Sequence, residues 1–316
     1  MNRRYVLAVG AVTAALVLIG CWAFADLAAA AGNPRQGTFS GQVGIGGGRT
    51  LFMRCAGRGR PTVIMEAGNK SSGSGTWATV LKPRQPSVFQ DVARFTHVCF
   101  YDRPGTPLPD GRLSRSTPVP MPRTLPGIAA DLHRLLISAG LRSPVVLVGH
   151  SFGGAIVRYF AQTYRKEVRG MVLVDALGSN IASLLGPVWW PRYVQLLNFP
   201  FASGNPPGLE TIDYLGAIRA LQRATPPRMP LAVISKTLPF TVPSGTIGGH
   251  RPAAGYRAVL RHLNKVWPTM QDRLVSLEPQ TPHIWATGSG HDVPAFAPDL
   301  TASVIRLIWD RARARR

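Results

Sequence analysis

Acidic residues are scarce in this 316-residue chain: 15 Asp plus Glu stand against 36 Lys plus Arg, for a net charge of +21. Lysine is scarcer still. Only Lys70, Lys82, Lys166, Lys236 and Lys265 occur, so arginine scattered along the chain carries the excess. A balance of this kind suits polyanionic partners such as an acidic cell envelope, anionic lipid or nucleic acid. Nucleic acid fits worst. The chain lacks zinc-finger and helix-turn-helix spacings, and it has no basic helix with interleaved aromatics. Internal repeats and long low-complexity tracts are missing too, which excludes solenoid and propeller arrays.

What is present begins at the N-terminus. Arg3 and Arg4 precede an uncharged stretch, residues 5–25, and the first acid is Asp26. As a helix that stretch would extend about 31 Å, enough to span hydrocarbon. Residues 28–31 are small and offer an A-x-A-type cleavage site before Gly32. The expectation is an exported chain, with 1–31 a signal peptide or membrane anchor and 32–316 the working domain. Arg3-Arg4 also suits a twin-arginine signal, and Leu18-Ile19-Gly20-Cys21 a lipoprotein box. Outside this segment two cysteines remain, Cys55 and Cys99. An even pair in an exported chain reads as a disulfide. Two buried thiols are the other reading.

Short apolar runs separated by Gly and Pro follow. Residues 43–45 and 51–55 flank Gly46-Gly47-Gly48, a hairpin signal. Residues 61–66, 97–101, 145–149, 171–175, 231–234 and 283–286 are near-continuous apolar runs. Such runs belong to strands buried on both faces, as in a parallel sheet covered by helices. Helical patterns lie between them at 128–139, 153–164 and 300–313. The alternation predicts a doubly wound α/β domain. Two segments break the rhythm. Residues 104–126 hold seven prolines and cannot form a central strand or a long helix. Residues 178–228, rich in Trp, Pro and Leu, are too long for a plain connection and read as a partly helical lid.

The sharpest local pattern is Gly149-His150-Ser151-Phe152-Gly153-Gly154, placed between a strand and an apolar helix. This is the G-x-S-x-G turn in its required setting, with Ser151 as nucleophile. The glycines let neighbouring chain pass a strained bend, and the helix N-terminus favours an anionic intermediate. His150, inside the turn, is expected to point away from the serine. His291 follows the last strand in Gly288-Ser289-Gly290-His291-Asp292, which suits the general base. For the third member, Asp175 ends its strand and leads, with a turn-capping Asp as its other reading. Asp272 is the alternative acid, and Glu210 and Asp213 fall in the lid. The oxyanion donors are predicted to be the backbone N–H groups of Phe152 and Asn69. No metal or cofactor is called for.

With Glu66-Ala67-Gly68, Tyr101-Asp102-Arg103-Pro104-Gly105, Asp131-Leu132, the elbow and Ser289-Gly290-His291-Asp292 in place, the chain resembles the α/β-hydrolase superfamily over residues 39–312. It is similar to exported or membrane-associated bacterial serine hydrolases. The resemblance implies an α/β-hydrolase fold: a mostly parallel eight-stranded sheet, helices on both faces, and an inserted lid. It implies cleavage of a carboxylic ester through an acyl-enzyme. Amidase, peptidase or acyltransferase action and a non-catalytic envelope-binding protein are the alternatives. The partner is then a small ester or lipid-like molecule, made apolar by the Trp189-Trp190 pair, with adsorption to anionic envelope surfaces and no nucleic acid. Two departures stand out: Thr106-Pro107-Leu108-Pro109 replaces the family's Gly and Ser, and the late acid is missing. The superfamily's strand order also implies that the strands of Cys55 and Cys99 are neighbours, close enough for a disulfide.

Overall fold

The computed structural model describes residues 33–314 other than 36, 142–143, 201–203, 224–227 and 242–252. The predicted signal or anchor, 1–31, lies outside the described residues. The chain runs β1 (Phe39–Gly46), β2 (Arg49–Ala56), β3 (Val63–Glu66), α1 (Gly73–Trp77), α2 (Val88–Ala93), β4 (Val98–Asp102) and α3 (Leu125–Ser138). It continues through β5 (Val145–His150), α4 (Phe152–Thr163), β6 (Val168–Val174), α5 (Ile181–Asn198), α6 (Tyr214–Gln222) and β7 (Leu231–Lys236). The last elements are α7 (Tyr256–Val275), β8 (His283–Ala286), α8 (Val293–Phe296) and α9 (Pro298–Ala314).

The strands form one sheet in the order β1-β2-β4-β3-β5-β6-β7-β8. β2 runs antiparallel to both β1 and β4, and the pairs from β4 onward are parallel. Alternation along β5 explains the continuous apolar runs. Val145 and Leu147 enter the core shared with α3 and α4, whereas Val146 and Val148 enter the opposite core with α1, α2 and α9. Because successive strand side chains face opposite ways, a strand covered on both sides has no polar face to show.

Helix starts follow capping chemistry. Thr124 accepts from Gly127 N at the head of α3, and Pro126 sits in the first turn, where its missing N–H costs nothing. Ser87 and Gln90 form a reciprocal capping box on α2. The sequence reading missed α7, whose buried Val259, Leu260, Leu263, Trp267, Met270 and Leu274 follow helical spacing across Pro268. The 104–126 segment forms no strand of the sheet. It crosses the surface and enters α3 at Leu125.

Between β6 and β7 the chain leaves the sheet to form α5 and α6. Their apolar faces join a third core, where Ile181, Trp190, Tyr193, Tyr214 and Ile218 meet Phe152 and Trp267. α5 is broken at Gly186, whose φ of 68° ends its first turns.

Cys55 and Cys99 face each other across the β2–β4 pair and are joined by a disulfide. Their Cα atoms are 4.1 Å apart, below the common disulfide spacing of about 5.5–6 Å. Directly opposed residues on antiparallel strands approach this closely where they exchange no backbone hydrogen bonds. The bond closes a sequence separation of 44 residues, which in the chain-entropy model stabilises the fold by roughly 4 kcal/mol. The Cys55→Ser/Cys99→Ser protein should therefore unfold at clearly lower urea than the parent. Coincident denaturation curves would show that the bond contributes nothing.

Candidate active site

Ser151 closes β5 and caps α4 with φ 54° and ψ −122°, a conformation that L-residues other than Gly rarely hold. Three backbone bonds fix it: Ser151 N donates to Val174 O, and Ser151 O accepts from Gly154 N and Leu177 N. The neighbouring glycines are sterically required. A Cβ on Gly149 would lie 2.5 Å from Gly153 O, and one on Gly153 2.5 Å from Glu66 O. The bend is thus held by surrounding chain, which is how strained backbone persists.

His291 reaches the serine from the loop after β8, its Nε2 2.9 Å from Ser151 Oγ. On the other side, its Nδ1 lies 2.6 Å from Asp175 Oδ2. An ionised carboxylate only accepts, so Nδ1 carries the proton and Nε2 is free to take one from the hydroxyl. The ring is held edge and face by Phe240, Trp267 and His150, with centroids 4.9, 5.6 and 4.8 Å away.

Asp175 follows β6, also at positive φ (41°), and is fully buried. Its Oδ1 accepts from Trp267 Nε1 at 2.8 Å and from Lys236 N at 3.2 Å. Including His291, three donors surround this carboxylate, which compensates for its removal from water. Asp272, the alternative acid, is exposed and lies 3.9 Å from His283. Glu210 and Asp213 serve elsewhere, Asp213 as the N-cap of α6.

The two predicted oxyanion donors lie on the segments that adjoin the serine. Phe152 opens α4, so its N–H has no acceptor within the helix. Asn69 follows β3, and the preceding Gly68 packs so closely that a Cβ there would come 3.0 Å from Ser151 Cβ. The Asn69 amide donates to Leu197 O on α5 at 2.9 Å, which ties this loop to the insertion.

Sequence reasoning missed a buried ion cluster beneath that loop. Arg103 donates to Glu66 at 2.5 Å, to both oxygens of Glu210 at 2.8 Å, and to the carbonyls of Ala67 (2.9 Å) and Gly68 (2.7 Å). Tyr101 donates its hydroxyl to the second oxygen of Glu66. Burial pushes the Glu66 carboxyl up, and Arg103 pulls it back. The only trace in the sequence is the Asp-Arg-Pro-Gly run, which does not say which carboxylates it meets.

His150 donates its Nε2 to His291 O at 2.8 Å, a bond that ties the bend carrying Ser151 to the loop carrying His291. Trp189, half-buried, stacks on His262 of α7 and borders a cavity of about 290 Å³, whereas Trp190 is buried beside Tyr193 and packs the insertion. Of the other histidines, His97 meets Thr62, His133 meets Glu167 and His283 meets Ser235, while His250 lies outside the described residues. Among the described residues, Cys55, His97 and Cys99 form a cluster of metal-ligand types, but both thiols are taken by the disulfide.

A family model described as the alpha/beta hydrolase family matches residues 70–304. The chain is similar in structure to a thermophilic esterase from Thermogutta terrifontis, with TM-score 0.52 and 18% identity over 86% of this chain and 98% of that one. It is also similar to a serine hydrolase involved in carbazole degradation, with TM-score 0.53 and 14% identity over 86% and 99%. In sequence it is 31% identical to an uncharacterized protein of Schizosaccharomyces pombe over 37% of this chain and 23% of that protein. The chain spans between 12% and 42% of the length of the curated relatives it matches.

His150 generates a pH signature. Burial, then the neighbouring His291, lowers its pKa from 6.5 to about 4. The unfolded chain binds this proton below pH 6.5 and the folded chain does not, so stability falls with pH across the window from 6.5 to 4. The full effect is about 3 kcal/mol. His150→Gln, which keeps a donor for the His291 carbonyl, should flatten that part of the stability profile. An unchanged slope would place the titration elsewhere.

Proposed function

The chain belongs to the alpha/beta hydrolase family, and from that membership we propose that it is a serine hydrolase cleaving a carboxylic ester. The observation that carries the reading is the continuous bond path Ser151–His291–Asp175. In the proposed reaction Ser151 Oγ attacks the ester carbonyl while His291 Nε2 takes its proton. The buried Asp175 carboxylate stabilises the resulting imidazolium and holds its tautomer. The N–H groups of Phe152 and Asn69 receive the developing oxyanion. Collapse breaks the C–O bond to the leaving alcohol, which takes the proton from His291 and leaves an acyl-serine. Water, deprotonated by the same imidazole, then releases the acid and restores the serine.

Structural neighbours that include an esterase support the ester over other acyl substrates. Phe240 and Trp267 beside His291 support an apolar group next to the scissile bond. The disulfide and the basic-then-apolar N-terminal sequence support an exported location. The charge of +21 supports salt-sensitive adsorption to acidic envelope surfaces. The insertion over residues 178–228 fits the role of a lid, because it carries α5 and the Glu210 anchor beside the oxyanion loop.

A fluorophosphonate probe should label the parent protein and spare Ser151→Ala, and p-nitrophenyl ester turnover should vanish with the label. Turnover of Ser151→Ala at the parent rate would refute the nucleophile. Asp175→Asn should retain labelling geometry yet lose orders of magnitude in kcat, on the order of 10⁴. A loss below about tenfold would mean that the acid is not needed for the imidazole to work.

A further inference from the structure

Arg158 lies on α4 about 10 Å along the helix from Ser151, and its side chain is buried. Its Nε and Nη1 have no hydrogen-bond partner, and among the described residues no carboxylate pairs with it. Every acid in the sequence except Asp26 is among those residues. Burial lowers its pKa only to about 10, so the guanidinium is charged at neutral pH. A buried charge left without a counter-ion costs several kcal/mol.

Nε and Nη1 of Arg158 are closed to water, but the residue borders open space. Arg158 forms one wall of a cavity of about 410 Å³ whose other walls include Ser179, Asn180, Leu184, Arg273 and Leu274. Arg158 is its buried cation and Arg273 an exposed one on α7. Asn180 makes no side-chain capping bond to α5, so its amide is not spent on the helix end. The leucines give the same cavity an apolar side.

We propose that this cavity is a second binding site, taking an oxyanion head joined to a short hydrocarbon body. A carboxylate or phosphate head on the cavity side of the guanidinium would supply the missing counter-charge. The hydrocarbon would lie on Leu184 and Leu274. The site stands apart from the ester chemistry: its walls are α4, the start of α5, the loop before it and α7, and it shares no side chain with Ser151, His291 or Asp175.

The test is thermal unfolding and calorimetry of the full chain with octanoate, octyl phosphate and inorganic phosphate, each against chloride at equal ionic strength. At least one octyl oxyanion should bind at millimolar concentration or better and raise Tm by several degrees, and Arg158→Met should abolish the shift. Without ligand, Arg158→Met should unfold at higher temperature than the parent, because it removes an uncompensated buried charge. Arg273→Gln, at an exposed position, should weaken binding about tenfold while leaving the unliganded Tm unchanged. An equal response to inorganic phosphate and octyl phosphate would overturn the hydrocarbon part of the proposal. No oxyanion-specific shift in the parent, or an undiminished shift in Arg158→Met, would overturn the site.

Discussion

The Asp175 carboxylate is the constraint on which the site depends. It is fully buried, and its donors come from three separate places: the indole of α7, the last backbone N–H of β7 and the imidazole of the loop after β8. A carboxylate removed from water is tolerated only while those donors stay in place. The same bonds that make it affordable therefore fix His291, and through it the hydrogen bond to Ser151. Four distant stretches of sequence are registered by one carboxyl group. The positive φ at both Ser151 and Asp175 fits this picture, since strained backbone survives where surrounding bonds over-determine it.

Much of this was legible in the sequence, for physical reasons. Strands buried on both faces must be apolar throughout, so β3, β5 and β7 announced themselves within two residues, and β6 within three. The elbow was readable because two glycines must stand where a Cβ would strike backbone at 2.5 Å. His291 was found by its position after the last strand, and the Cys55–Cys99 pair by the neighbourhood that the family's strand order implies.

What escaped notice depends on contacts that one-dimensional patterns do not carry. Trp267 reads as an ordinary apolar position of a helix, and only packing reveals that its N–H meets Asp175. α7 itself was hidden by Pro268 in its interior and by its closeness to a Gly- and Pro-rich stretch. The two tryptophans of the insertion are placed differently, Trp189 at a cavity wall and Trp190 in the core. Large aromatics in a short inserted piece are needed first to give that piece a core of its own, and Trp190 is buried for that purpose. The reach of His150 to the His291 carbonyl has no sequence signal, because it depends on the loop fold rather than on the bend it occupies.

Arg103 shows how a buried cation is ordinarily accommodated, with two carboxylates and two carbonyls around one guanidinium, whereas Arg158 has none of these. One of the Arg103 carboxylates, Glu210, belongs to the segment between β6 and β7, while the carbonyls belong to the turn beside Ser151. The insertion is consequently not a freely exchangeable cassette. A chimera that swaps it for a sequence with no acid at this place strands a cation under the serine, so domain shuffling at this locus must carry the glutamate along with whatever new specificity it imports.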